Sequence, residues 1–312
     1  MTNVSKKIIV LGDIILDKYY LGNVKRISPE APVPVVEVKD IEVTLGGAAN
    51  VVNNLSALNV ESILCGRVGR DESAKILNSI LEEKKIGMEL VYSNEPTTTK
   101  IRVVGGRQQI CRIDFETIIE LEKNSQAELF EKIFTNYSLG AIVISDYGKG
   151  VCTEEFCELI IKKANQKSIP VFIDPKKNDW NCYRNSFMIT PNLKELSDYV
   201  AKEISNDDTI IEQYGRKVLE KLNLQNLLIT RSEKGMSLLT QKETHHVNAT
   251  AKEVFDVSGA GDTVIAVIAA CISSGKNPLE SAKIANFAGG IVVGKFGTTP
   301  IYYSEIKDLV SW

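Results

Sequence analysis

Asp256–Thr263, DVSGAGDT, follows the strand-like KEVF and precedes the apolar run Val264–Ile272. Two glycines and two aspartates therefore stand where a strand pattern hands over to a helix pattern. A helix N-terminus carries free N–H groups and partial positive charge, so it attracts anions. The glycines let backbone approach such an anion closely. Asp262 then reads in two ways. It is a helix cap in a glycine turn, or it is a base beside a bound phosphate. The eight residues alone leave both open.

The segment is not a dinucleotide fingerprint, because that pattern needs glycine where Val264 stands. It is not a P-loop either: no Gly-Lys-Ser/Thr occurs in the chain. The 312 residues are 44% hydrophobic and 25% charged, with net charge −3, as in a soluble globular protein with a sizeable core. That charge excludes the basic excess of a nucleic-acid or anionic-membrane binder. No apolar run reaches the roughly 18–20 residues of a membrane span. Asp13 and Asp17 interrupt the N-terminal apolar stretch, which argues against a signal peptide. The cysteines (Cys65, Cys111, Cys152, Cys157, Cys182, Cys271) form no CxxC, so a cytoplasmic protein with buried thiols is expected. His245 and His246 are the only histidines and lie in a polar connection, where plain surface residues are expected. A zinc site or a Ser-His-Asp triad is disfavoured.

Outward from DVSGAGDT, short apolar runs repeatedly end in polar turns. KIIVLGD ends at Asp13, LGAIVISDYGKG at Asp146 and Lys149, and IPVFIDPKKND at Asp174 and Lys176. FMITPNLKE ends at Asn192 and Glu195, NLLITRSEKG at Arg231, and KEVFDVSGAGD at Asp256 and Asp262. Helical spacing lies between them, as in GGAANVVNNLSALN (starting near Ala48) and TEEFCELIIKKANQ. The alternation predicts a mostly parallel sheet with helices on both faces. Ligands of such sheets bind beyond the carboxyl ends of the strands, where these polar residues gather. Two stretches break the rhythm: Val33–Gly47, and Thr99–Asp114 around Gly105-Gly106, a hairpin signal. They predict a small antiparallel lobe, read as a lid over the Gly46-Gly47 helix start; the plainer alternative is a surface hairpin.

Each candidate has a structural alternative. Asn192 and Glu195 suit a capping box, or contacts to nucleotide phosphates and hydrated Mg²⁺. Gly46, Gly47 and Asn50 suit tight packing, or a sugar. Asp13 and Asp17 suit an exposed turn, or sugar hydroxyls. Lys149, Lys176, Arg102, Arg107 and Arg112 suit solvated charge, or a phosphorylated ligand.

In this order, GD after the first strand, GGAAN, GRVGRD, PNLKE, TRSEKG and DVSGAGDT resemble the ribokinase-like (PfkB) carbohydrate kinases over nearly the whole chain. RISPEAPVPVVEV, QQICRIDFE, SDYGKG, IDPK, TRSEKGMSLL and VVGKFGTTP look like the D-glycero-β-D-manno-heptose-7-phosphate kinases among them. The resemblance implies a ribokinase-like three-layer α/β fold. It implies one kinase domain over 1–312 with a lid formed by about 14–45 and 96–115. It implies ATP-dependent phosphorylation of the anomeric O1, giving the 1,7-bisphosphate for ADP-heptose and lipopolysaccharide core synthesis. Other acceptors (fructose 6-phosphate, ribose, a nucleoside) and a non-catalytic sugar-binding regulator are the competing readings.

By position, the resemblance makes Asp262 the catalytic base and Gly259, Ala260 and Gly261 the anion hole. Asn192, Leu193, Lys194, Glu195, Thr230, Ser232, Gly235 and Asn286 fall to the nucleotide, with Glu195 reaching Mg²⁺ through water. Asp13, Gly46, Gly47, Asn50, Arg102, Gln109, Arg112, Lys149 and Lys176 fall to the sugar phosphate. Asp256, Ser258 and Gly297 are candidates for a monovalent cation such as K⁺, which some relatives bind. A homodimer through the lid is a family habit. Many relatives continue into a nucleotidyltransferase domain; the chain's end at Trp312 leads us to expect that step from a separate protein.

Overall fold

The computed structural model describes residues 6–106, 108–251 and 254–310. The first strand, β1 (Lys7–Gly12), is apolar on both faces. Ile8 and Val10 enter one core cluster, and Ile9 and Leu11 the other. Period-two alternation thus feeds two cores, the signature of a sheet covered on both sides. β2 (Ile14–Ile27) and β3 (Pro34–Gly47) follow, then α1 (Ala48–Ala57), β4 (Ser62–Gly69), α2 (Glu72–Glu83) and β5 (Gly87–Ser93). β6 (Thr99–Gly105) and β7 (Gln108–Phe115) precede α3 (Lys123–Thr135), β8 (Leu139–Ser145), α4 (Glu154–Gln166) and β9 (Val171–Asp174). The remainder comprises β10 (Met188–Ile189), α5 (Leu193–Tyr199), α6 (Asp208–Lys221), β11 (Asn226–Thr230), β12 (Met236–Thr240), β13 (Thr244–Val247), α7 (Ala260–Ser273), α8 (Pro278–Val292) and α9 (Tyr303–Ile306).

The main sheet runs β13-β12-β11-β10-β9-β8-β1-β4-β5. It is parallel from β11 to β5 and antiparallel only at the β12 and β13 end. One face packs on α1, α2, α7 and α8, the other on α3, α4, α5 and α6. β1 lies between β4 and β8. The chain winds to one side through β4 and β5 and later to the other through β8, so a switch point opens beside β1 and β8.

The departures from the expected strands are specific. The second sheet, β3-β2-β6-β7, contains the expected lobe, but β2 and β6 pair in parallel, so it is not purely antiparallel. A whole crossover through β3, α1, β4, α2 and β5 separates β2 from β6, which allows parallel pairing. No strand runs into DVSGAGDT: Val254 and Phe255 are non-strand and exposed, and Lys252 and Glu253 lie outside the described residues. Arg107 lies outside them too. Among the described residues, no helix is long and apolar enough to cross a membrane.

Candidate active site

The start of α7 answers the question left by the sequence. Its N-cap is Gly259, left-handed at φ 78°, and no side chain caps the helix. Asp262 is therefore not a cap. Its carboxylate is 2% exposed. Oδ2 accepts from Asn50 Nδ2 at 2.8 Å, and Oδ1 accepts from the Tyr147 hydroxyl at 2.9 Å. Burial pushes the carboxyl up to about 7; the bonds from Asn50 and Tyr147 pull it down, and the Asp17 charge pushes it up. A general base works best near the operating pH, which is where this group sits.

The glycines divide into two kinds. A Cβ at Gly259 would lie 2.7 Å from Asn50 Nδ2, so internal packing demands glycine there. A Cβ at Gly261 would meet nothing within 4 Å, so packing does not explain that one. Among the described residues, the Gly261 and Asp262 N–H groups find no backbone acceptor, as first-turn donors do not. Thr263 Oγ1 donates to the buried Asn54 Oδ1 at 3.0 Å, which ties α7 to α1. The arrangement is an anion-ready helix start carrying a buried carboxylate of raised pKa.

At the switch point, Asp13 is 1% exposed. Oδ2 accepts from Tyr147 N at 2.8 Å and Lys149 N at 2.9 Å; Oδ1 accepts from Val151 N at 3.0 Å. Asp13, expected on the sugar, thus also anchors the turn after β8, and its Oδ1, with one donor, keeps acceptor capacity. Asn50, also expected on the sugar, donates from Nδ2 to Asp262. Gly47 has φ 56°, and a Cβ at Gly46 would lie 2.3 Å from Asp17 Oδ2, so backbone geometry and packing explain both glycines.

The inner face of the lobe carries Asp17, paired with Arg102, whose guanidinium lies over the Tyr19 ring. Lys100 stands opposite Asp17 in the ladder and opposite Asp114 on β7. Burial lowers its ammonium pKa, Asp17 and Asp114 raise it, and Lys149 and Arg112 lower it. Lys100 thus joins the expected cations, and sequence reasoning missed it. Lys149 pairs with Glu116 at 2.8 Å. Arg112 pairs with Asp114 at 2.9 Å, and Gln109 is exposed on β7.

On the other side, Asn192 caps α5. Its Oδ1 accepts from Glu195 N at 2.9 Å, and Glu195 Oε2 accepts from Asn192 N at 3.0 Å. The capping box is therefore real, and it leaves Glu195 Oε1 facing Lys176 Nζ at 3.7 Å. Lys176, expected on the sugar phosphate, pairs here with Glu195. Asp174, at the end of β9, is pushed well above the carboxylate range by burial and by the Asp262 and Glu195 carboxylates. Asn192 bridges to Thr230. Ser232 follows, with Gly235 at φ 79° and its Cβ position 2.1 Å from Val247 O. Asn192, Leu193, Lys194 and Ser232 line an open cleft of about 1040 Å³. Asn286 Nδ2 donates to Asn248 O at 2.8 Å, holding a connection that leads toward α7.

Asp256, Ser258 and Gly297 do come together. Asp256 Oδ1 accepts from Ser258 N at 2.9 Å and Oδ2 from Gly297 N at 3.1 Å. Beside Gly297 lies Tyr19, whose buried hydroxyl has no hydrogen-bond partner among the described residues. His246 is exposed, as expected, but it has partners. It sits on β13, its Nδ1 2.8 Å from Ser237 Oγ and 3.2 Å from Arg231 Nη1. Arg231 is 1% exposed and also pairs with Asp208 at 2.6 Å, a structural knot under the Thr230 turn.

A model of the pfkB family carbohydrate kinases matches residues 5–303. The bifunctional protein HldE of Pasteurella multocida (strain Pm70) is 44% identical over 307 residues, covering 97% of this chain and 63% of that protein. The HldE of Histophilus somni (strain 129Pt) is 42% identical over 309 residues, with the same coverages. The chain thus spans 63% of the length of these curated relatives. Among solved structures, phosphofructokinase-2 from Escherichia coli in complex with potassium superposes with TM-score 0.82 at 16% identity, covering 98% of each chain. Arabidopsis thaliana ribokinase complexed with ribose and ATP superposes with TM-score 0.76 at 18% identity, covering 99% of this chain and 100% of that one. These structures share the ribokinase-like α/β fold. With the family model spanning nearly all of it, this chain belongs to the pfkB family of carbohydrate kinases.

Proposed function

We propose that the chain transfers the γ-phosphoryl group of ATP to the anomeric O1 of D-glycero-β-D-manno-heptose 7-phosphate, giving the 1,7-bisphosphate. The observation that carries the chemistry is the buried Asp262 carboxylate, raised to about 7, at a helix start with free N–H groups. Asp262 takes the O1 proton as O1 attacks the γ-phosphorus. The backbone from Gly259 to Gly261 and the α7 dipole receive charge that spreads over the transferring group. Asn192–Glu195, Thr230–Gly235 and Asn286 flank the nucleotide. Arg102, Arg112 and Lys149, with Lys100, supply positive charge for the C7 phosphate. The choice of acceptor rests on the likeness to the HldE proteins and on the motif resemblance.

The residues fit a divalent ion such as Mg²⁺. The Asp262 and Glu195 carboxylates both bear on Asp174, and Lys176 is the cation that offsets it. Glu195 and Asp174 would hold the ion through its waters, and when bound it neutralises phosphate charge. A monovalent ion such as K⁺ has oxygen donors in Asp256 and the unpartnered Tyr19 hydroxyl near Gly297. Lobe closure excludes water, which otherwise competes as acceptor. The test is ATP-dependent ADP release across heptose 7-phosphate, fructose 6-phosphate, ribose and a nucleoside, with the product position fixed by NMR. Phosphorylation at O1 of the heptose, far ahead of the other acceptors, is expected. A stronger acceptor among the others replaces the substrate assignment, and no transfer to any sugar removes the kinase reading of this site.

A further inference from the structure

Asp262 is held by a side chain to which the chemistry above gives no part. Tyr147 begins the turn after β8. The buried Asp13 carboxylate fixes that turn through three N–H donors, from Tyr147, Lys149 and Val151. The turn in turn presents the Tyr147 hydroxyl at 2.9 Å from Asp262 Oδ1, opposite the Asn50 amide on Oδ2. A carboxylate only accepts, so at this contact the phenol donates. The other charged groups that bear on Asp262 and Tyr147 are carboxylates, Asp17 from β2 and Asp174 from β9. Among the described residues, no lysine or arginine figures among the main influences on the Asp262 charge. Two neutral donors are thus the only direct hydrogen bonds that favour its ionised form among the described residues.

We propose that Tyr147 is a positioning residue for the catalytic base: carried on the turn that Asp13 anchors, its hydroxyl donates to Asp262 Oδ1, keeps the carboxylate ionised and sets the orientation in which it meets the acceptor hydroxyl. The inference rests on the reading of Asp262 as the base. A hydrogen bond made only to the charged form of an acid favours that form. Removing the donor leaves burial and the neighbouring carboxylates without one of their two opponents.

The test is a direct titration of Asp262 by ¹³C NMR on protein labelled at the aspartate carboxyl carbons, with Asp262→Asn identifying the signal. Tyr147→Phe deletes one hydroxyl and keeps the ring. The expected result is a titration midpoint higher by about 1 pH unit, the scale of one hydrogen bond to a charged group. The acid limb of turnover should move up with it, while the KM for ATP holds. A midpoint that stays or falls overturns the inference. A purely structural tyrosine would lower the unfolding midpoint and leave the titration in place, which also overturns it. The base reading fails in a different way: Asp262→Asn would keep its turnover, whatever Tyr147→Phe does to the titration.

Discussion

Replacing Asp262 by asparagine removes one buried negative charge and one proton acceptor while keeping the shape of the side chain. The structure sets the size of both effects. The folded carboxyl titrates at about 7 against an ordinary 3.8, with burial as the main cause. The folded state therefore keeps the proton in a window where the unfolded chain has already released it. Stability falls as pH rises from about 4 to about 7, and above that the whole cost is present. A gap of roughly three pH units at about 1.4 kcal/mol each amounts to ~4 kcal/mol. Asparagine has no proton to lose, so the variant escapes this cost. It keeps the bond to either Asn50 or Tyr147, and the tyrosine hydroxyl turns to accept from the new amide. Asp262→Asn should thus be no more stable than wild type near pH 4 and more stable by up to about 4 kcal/mol at pH 8. Turnover should fall by roughly 10²–10⁴, the usual share of a general base. Denaturant unfolding of both proteins at pH 5 and pH 8, beside an ATP turnover assay, measures both. A stability difference that does not grow with pH refutes the burial argument, and near-full turnover refutes the base.

Gly261→Ala should leave stability unchanged or raise it by about 0.5–1 kcal/mol, since alanine is the better helix former and its Cβ meets nothing. Phosphoryl transfer should nevertheless drop; a variant with normal kinetics removes Gly261 from the anion hole. Lys100→Met should raise the KM for a phosphorylated sugar at least tenfold more than for its unphosphorylated analogue, a difference of about 1.4 kcal/mol, and equal losses would exclude phosphate recognition. Arg231→Met removes the bonds from a buried guanidinium to Asn206, Asp208 and the buried Ser237; with Asp208 60% exposed, the cost is that of the unsatisfied Ser237 and Asn206, about 1–3 kcal/mol in thermal or denaturant unfolding. An unchanged midpoint would show that knot to be dispensable. The lobe exposes Ile27, Ile41 and Phe115 at 60%, 52% and 52%, so a homodimer through it should appear in sedimentation and be lost in Ile41→Lys; a wild-type monomer at micromolar concentration refutes it.

Much of the framework was legible because local chemistry produces it. The unbroken apolar run Ile8–Leu11 marks a strand covered on both faces. Polar residues at strand ends mark the edge where ligands bind, and Gly259 with Ala260 marks the start of α7. Other elements were hidden. α8 passes unnoticed because apolar and small residues fill most of its circumference, erasing the stripe that announces a surface helix. β2 was not read as a strand, because its buried root and exposed tip differ in character within one element. His246 looked like a loop residue because its partners Ser237 and Arg231 belong to other elements.

The sequence by itself determined which residue types gather at the strand ends: an acid beside glycines at a helix start, cations on a hairpin, and a cap with a glutamate three residues on. Tertiary structure decided what each one does. Asp262 is excluded as a helix cap, and is proposed as the base, because Asn50 and Tyr147, 212 and 115 residues away in sequence, reach its two oxygens in a dry site. Asp13 became an anchor because a turn 134 residues later claims its oxygens. A carboxylate is the same group at either place in the sequence. Its role follows from desolvation and from the donors that reach it, and the parallel winding of the sheet around β1 brings those donors together.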